Sequence, residues 1–563
     1  MTTTIDDADE LAAPLDLLLT SSAIGVGRRM LPNTSWTRLG LALARKPRTV
    51  ADRVGTLGRE LATIARGDSD RAPVKGDRRF DDPAWRDNPL FKRSMQAYLA
   101  ANGTVDALFA EAELDWRDAE WMRFVLDNVM EGLSPSNNPL LSPLAWKALV
   151  DTGGRSAVRG LRHFLSDMAA SPRVPSMVRP DAFQIGETVA ATPGSVVLRT
   201  EMFELIQYAP QTETVRTVPL LMVPPVINKF YVMDIAPGRS MIEYFLRQGQ
   251  QVFAISWRNP GAEQRDWGFD AYGQAIIDAL DAVEAITGSD RTHLQASCSG
   301  GIIAAMTAAH LTAIGQADRL AGLTLMVTVL DQTRAGFAAA AIDEETAEIA
   351  IALSARKGYL DGRALAEVFA WLRPTDLVWR YWVNNYLQGR DPAPFDVLFW
   401  NADTTRMAAA LHRDMVLLGV HNSLTVPGQA HMLGTPVDLS TLTVDTYVVA
   451  GIADHISPWQ SCYRSARLLG AKDLRFVLST SGHIAALVNP PGNPKASYRI
   501  GAPDAADPAT WLHGEDKQQG SWWPNFTDWL GDRSGAEKDA PTTLGTSELP
   551  PLTTAPGTYV LEH

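Results

Sequence analysis

The spacing of apolar residues changes character once along the chain, near residue 180. Before it the recurrence is helical. Stretches near Trp36 to Lys46 and Val50 to Arg66 carry it weakly among many arginines. From Asp81 the segment DDPAWRDNPLFKRSMQAYLAANG opens with Pro and Asn-Pro breaks, sets apolar residues three and four apart, and closes on Asn-Gly. Val105 to Val129 and Trp146 to Met168 also predict amphipathic helices, separated by the loop SPSNNPLLSP. Residues 1–180 are therefore expected to form a mainly helical N-terminal domain.

After Pro180 the apolar runs shorten and fill with β-branched residues: SVVLRT, ELIQYAP, TVPLLMVPP and QVFAISW, each bounded by Pro, Gly or polar turns. These predict strands. Helical patterns at Ser240 to Gln248 and Gly273 to Thr287 lie among them, and Leu323 to Leu330, Thr446 to Ala450 and Leu474 to Leu478 predict further strands. Alternation of strands and helices implies a largely parallel sheet covered by helices. Between Asp331 and about Leu433 the alternation lapses into helical stretches and aromatic clusters such as AWLRPTDLVWRYWVNNYL, which suggests a cap inserted at about 332–433 of a catalytic domain spanning 181–533. Residues 534–563, rich in Pro, Thr, Ser and Gly, are expected to be a loosely attached tail.

Composition narrows the function classes. Of 563 residues, 46% are apolar and 20% charged, as in ordinary globular proteins, and a net charge of −13 disfavours a general nucleic-acid binder. Two cysteines, Cys298 and Cys462, are too few for a disulfide scaffold and suit a reducing compartment. The acidic N-terminus lacks the pattern of a secretory signal, and no run of eighteen apolar residues predicts a transmembrane helix, so a cytoplasmic location is expected.

The candidate chemistry centres on THLQASCSGGIIAAMTAAHL, where a strand ends, a small-residue turn follows and a helix begins. Such an elbow needs small residues two before and two after its nucleophile, here Ala296 and Gly300, and it aims the Cys298 thiol outward over a helix N-terminus that favours the thiolate. A buried cysteine is ordinarily a packing residue, and A-x-C-x-G alone does not separate the two roles. The remainder of the chain does. Strand DTYVVAG ends in IADHISPW, which carries Asp454, and strand LRFVLSTSGH delivers His483; nucleophile, acid and base thus follow in the order of a hydrolase-type triad. His455 is the rival base. The backbone N–H of Ser299, with that of Val226 or Ile227 in VPPVINK, is the expected oxyanion hole. Cys462 is read as packing, Asp331 as the cap entrance, and His293, His310, His412 and His421 lack metal-ligand spacing.

With these residues placed, the chain resembles the polyhydroxyalkanoate synthases, cytoplasmic bacterial enzymes that link (R)-3-hydroxyacyl-CoA units into storage polyester. The likeness rests on DRRFDDPAW, NPLFKRSMQAYL, SPSN, VPPVINKFYVMD, ISWRNP, SCSGG, FWNADTTRM, AGIADHISPW and SGHIAALVNPPGNPK, across roughly residues 77–530. Two positions depart from the usual pattern: Ala296 stands where the elbow commonly has Gly, and Val226 where the loop commonly has Trp. The resemblance implies an α/β-hydrolase fold with an inserted cap behind the helical domain, a Cys298-bound acyl intermediate, no metal or redox cofactor, a homodimer, and association with polyester granules. CSGG and LIQY resemble the single-subunit synthases that favour medium-length side chains. Two other functions fit parts of the pattern: a thioesterase or depolymerase of the same fold, and a non-catalytic granule scaffold.

Overall fold

The computed structural model describes residues 15–25, 34–169, 171–333 and 344–563. The first residues of the expected cap, 334–343, lie outside that range. Among the described residues two compact units emerge, one formed by residues 24–179 with 364–393, the other by 180–363 and 394–563 together with residues 15–23. This division differs from the expected one. The middle of the anticipated cap belongs to the helical unit, whereas helix Leu15–Ile24 brings Leu18 and Leu19, fully buried, to the other.

In the helical unit, helix Pro89–Glu111 is capped by Asn88, whose side chain accepts from Leu90 N at 2.9 Å, and it runs straight through Asn102-Gly103. Asn-Gly does not end it because Val105, Leu108 and Phe109 continue the same apolar register. The expected helix from Trp146 to Met168 is two, Pro143–Asp151 and Arg155–Met168. Gly153 and Gly154 lie between them with φ of 57° and 86°, a left-handed path that glycine takes without a Cβ penalty. Phe80, Trp85 and Met95 form a small core, in which the Phe80 and Trp85 rings meet edge-on at 5.1 Å.

The larger unit is built on an eleven-stranded sheet. In chain order its strands are β1 (Gly194–Arg199), β2 (Phe203–Tyr208), β3 (Leu220–Val223), β4 (Val252–Trp257), β5 (Thr292–Ser297), β6 (Leu320–Met326), β7 (Thr446–Gly451), β8 (Leu474–Ser479), β9 (Ser497–Gly501), β10 (Gln518–Gln519) and β11 (Thr553–Thr554). Across the sheet they lie in the order β10-β9-β8-β7-β6-β5-β3-β4-β2-β1-β11. The six central strands, β3 to β8, pair in parallel, and the outer ones are antiparallel. All residues of β3 to β7 are buried, which is why these strands read as continuous apolar runs rather than alternations. β6 stops at Met326, short of the expected Leu330, because the chain turns at Val327, a β-branched residue held at φ 45°.

The C-terminal residues are not a loose tail. β11 pairs with β1, and Val560 is fully buried. Glu204 on β2, with no exposed surface, accepts hydrogen bonds from Thr558 N at 2.8 Å, Tyr559 N at 3.0 Å, Thr558 Oγ1 at 2.9 Å and Arg199 Nε at 2.8 Å. Local composition signalled disorder because the anchor is a carboxylate some 350 residues away in sequence. Glu204→Ala is expected to cost about 2 kcal/mol, since it leaves the amides of Thr558 and Tyr559 without their acceptor. A fall in Tm, with faster proteolytic nicking of the last ten or so residues, would register it.

Candidate active site

Three loops leave the C-terminal ends of β5, β7 and β8 at the same edge of the sheet, the position at which open parallel sheets hold their ligands. Cys298 follows β5 directly and opens helix Cys298–Ala313. Its φ is 50°, the strained left-handed conformation of an elbow, and only 5% of its surface is exposed. Gly300 is required here, because a methyl group on it would collide with the Pro224 carbonyl; one on Gly301 would strike Thr328. Ala296, the departure from the usual elbow glycine, sits in extended backbone between Val223 and Leu325 of the neighbouring strands and is completely buried. Its methyl group is core packing, and the turn forms two residues beyond it, at Cys298.

Asp454 and His483 are brought together by the loops after β7 and β8. Ile452 N donates to Ser479 O at 2.8 Å and Ala453 N to Ser481 O at 3.1 Å, so the two loops run on as a short ladder. His483 Nδ1 then meets Asp454 Oδ2 at 2.7 Å. The other carboxylate oxygen accepts from Ile456 N and Ser457 N, each at 2.9 Å, which fixes its orientation. Burial opposes charge on the His483 ring, but the Asp454 carboxylate, and after it a hydrogen bond with Cys298, outweigh burial and raise its pKa to about 10. Thus one imidazole is coupled to both Asp454 and Cys298. His455 is half-buried beside Asp454 on the same loop.

The expected oxyanion donors fare differently. Ser299 occupies the first turn of the elbow helix, where amides have no intrahelical acceptor. The amide of Val226, however, donates to Ser299 Oγ at 3.1 Å. In this structure that proton is directed at a buried hydroxyl, which favours Ile227 over Val226 as the candidate amide of that loop. Reading the sequence alone missed what holds this loop. Lys229 Nζ, at the end of VPPVINK, donates to the carbonyls of Tyr559 and Glu562, and its own carbonyl accepts from Trp400 Nε1 at 2.7 Å. Tyr231 OH donates to Asp403 Oδ2 at 2.9 Å. The FWNADTTRM block therefore braces VPPVINKFYVMD, and no local signal in either segment names the other.

The remaining nominated residues take quieter places. Cys462 is fully buried, its Sγ 3.7 Å from Ser457 O, and burial pushes its thiol well up, away from reactivity. Asp331 accepts from Thr333 N at 2.7 Å and Asn422 Nδ2 at 3.2 Å, a local turn. His412 is bonded to Ser354 Oγ at 2.7 Å, and His293 lies inside β5; burial lowers them to about 4 and about 3 respectively, so both are neutral core residues. Among the described residues no three His, Cys, Asp or Glu side chains cluster so as to hold a metal, and no helix is long and apolar enough to cross a membrane.

Comparison with known proteins fits this geometry to a lineage. The family described as the poly-beta-hydroxybutyrate polymerase (PhaC) N-terminus matches residues 76–245, and the alpha/beta hydrolase fold matches residues 232–490. Poly(3-hydroxyalkanoate) polymerase 1 of Ectopseudomonas oleovorans is 45% identical over 540 residues, which is 96% of each chain. Polymerase 2 of the same organism is 44% identical over 92% of each chain. The poly(3-hydroxyalkanoate) polymerase subunit PhaC of Cupriavidus necator is 37% identical, over 88% of this chain and 85% of its own. With an α/β-hydrolase sheet, a cysteine at its elbow and relatives matched over most of their length, the chain belongs to the poly(3-hydroxyalkanoate) polymerase family.

Proposed function

We propose that this protein polymerises (R)-3-hydroxyacyl-CoA into polyhydroxyalkanoate with release of CoA, through an acyl group held on Cys298. The observation that carries the proposal is the coupling of Cys298 at the elbow with His483 and Asp454, in a chain that matches a poly(3-hydroxyalkanoate) polymerase over 96% of its length. The thiol proton is held on His483, whose pKa the Asp454 carboxylate raises, as the Cys298 sulfur attacks the thioester carbonyl; the carbonyl oxygen, now negative, is met by the amides of Ser299 and Ile227. Collapse expels CoA thiolate, which leaves as the thiol with the proton from His483. Exchange of one thioester for another is nearly isoenergetic, so the acyl group is held without being committed to water. His483 then removes the proton of a 3-hydroxyl, the alkoxide attacks the held acyl group, and an ester forms as Cys298 is freed. Asp454 keeps the imidazole oriented and its cation stabilised throughout.

Burial of the three side chains favours this reading over hydrolysis, because a dry thioester waits for a hydroxyacyl group rather than for water. Medium-length side chains, a homodimer, a granule-bound state and a reaction without metal or redox cofactor complete the proposal, on the strength of the family likeness. Incubating the purified protein with 3-hydroxyacyl-CoAs of graded length, while following both thiol release and polymer, tests it. Polymer in step with CoA is expected; CoA release with free hydroxy acid would make the protein a thioesterase.

A further inference from the structure

Helix Arg155–Met168 in the helical unit has one face seated and one face bare. The seated face is well made: a methyl group on Gly160 would collide with the Tyr386 carbonyl, and the Phe164 ring meets Trp382 and Tyr386 edge-on at 6.1 and 5.4 Å. The bare face is therefore not the result of poor packing. It carries Val158, Leu161 and Leu165, exposed by 62%, 58% and 59%, at spacings of three and four that place them in a single stripe. Beside that stripe run Arg155, Arg159 and Arg162, all exposed. None of the three has an ion pair or side-chain hydrogen bond with a described residue, whereas Arg71, Arg79 and Arg123 of the same unit are each paired with a carboxylate. Three unneutralised cations in a row are notable in a chain whose net charge is −13. The preceding helix adds exposed Trp146 and Val150, four residues apart on one face.

We propose that this face docks on an anionic lipid surface, its aliphatic stripe entering the acyl boundary while its arginines meet the head groups. A lipid surface supplies apolar depth and fixed negative charge together, and it needs no matching shape. A second copy fits worse: pairing the same stripe with itself across a two-fold axis would set the arginine row against its own like.

The test uses the full-length protein and phosphatidylcholine vesicles with or without phosphatidylglycerol, separated by flotation at low and high salt. Binding is expected only with phosphatidylglycerol and should weaken as salt rises. Changing Arg155, Arg159 and Arg162 together to Gln should lower the affinity roughly a hundredfold, from about fivefold for each cation near the surface. Leu161→Gln with Leu165→Gln should lower it at least about tenfold. Both variants should keep the wild-type Tm, since the positions are exposed, and the wild-type rate on soluble CoA substrate. No binding to phosphatidylglycerol vesicles, equal binding to the neutral ones, or variants that bind as well as wild type would overturn the proposal. So would a lipid-independent shift from dimer to monomer in these variants, which would assign the face to self-association.

Discussion

Cys298→Ala is expected to stop both polymer formation and CoA release, by about 10⁴-fold or more, while leaving the fold intact. No second thiol can take its place. The chain has one other cysteine, Cys462, and burial there both raises the thiol and closes it off from substrate. The loss should be chemical rather than structural, because alanine is smaller than cysteine and meets the elbow's left-handed φ with the same Cβ cost that cysteine already bears. Far-UV circular dichroism and a Tm within about 3 °C of wild type would document that. Cys298→Ser is the finer probe: it keeps the shape but replaces sulfur, the better nucleophile toward a thioester, with a hydroxyl, and so should also be nearly inactive. Polymer synthesis at the wild-type rate by Cys298→Ala would remove this residue from the mechanism altogether.

His483→Gln should lower the rate by about 10² to 10⁴, as loss of a positioned general base does, and His455→Gln by less than about tenfold. Equal losses would return His455 to contention as the base. Asp454→Asn should fall nearer to His483→Gln, since it forfeits the 2.7 Å contact that orients the ring. Stability adds a second reading with a definite sign. The folded His483 has its pKa raised to about 10, above the ordinary value near 6.5, so its contribution is fully present below about pH 6.5 and is lost as pH rises toward 10. The Tm difference between wild type and His483→Gln should therefore be larger at pH 6 than at pH 9.5. A difference that grew toward alkaline pH would contradict the coupling to Asp454 and Cys298.

Much of this protein was legible one segment at a time. Helical spacing before residue 180 and buried β-branched runs after it gave the architecture, because both are local consequences of which side chains must leave water. The elbow was also legible locally, as Cys298 followed by Gly300 and Gly301, although the groups that make those glycines necessary, the Pro224 carbonyl and Thr328, come from other segments. Asp454 and His483 could be placed because each follows its own strand, although their meeting at 2.7 Å required β7 and β8 to be neighbours in parallel.

What only the tertiary structure decided is how distant polar groups find partners. Whether Val226 has a free amide depends on a hydroxyl at Ser299, and whether the C-terminal residues are ordered depends on Glu204. The division into units, too, turned on packing: residues 364–393 join the helical unit, where Tyr386 lies against Gly160 and Phe164. Hydrophobic periodicity reports where a segment's apolar face points. It is silent about which buried amide, carbonyl or carboxylate will satisfy another, since that pairing is chosen by the folded chain and carries no period of its own.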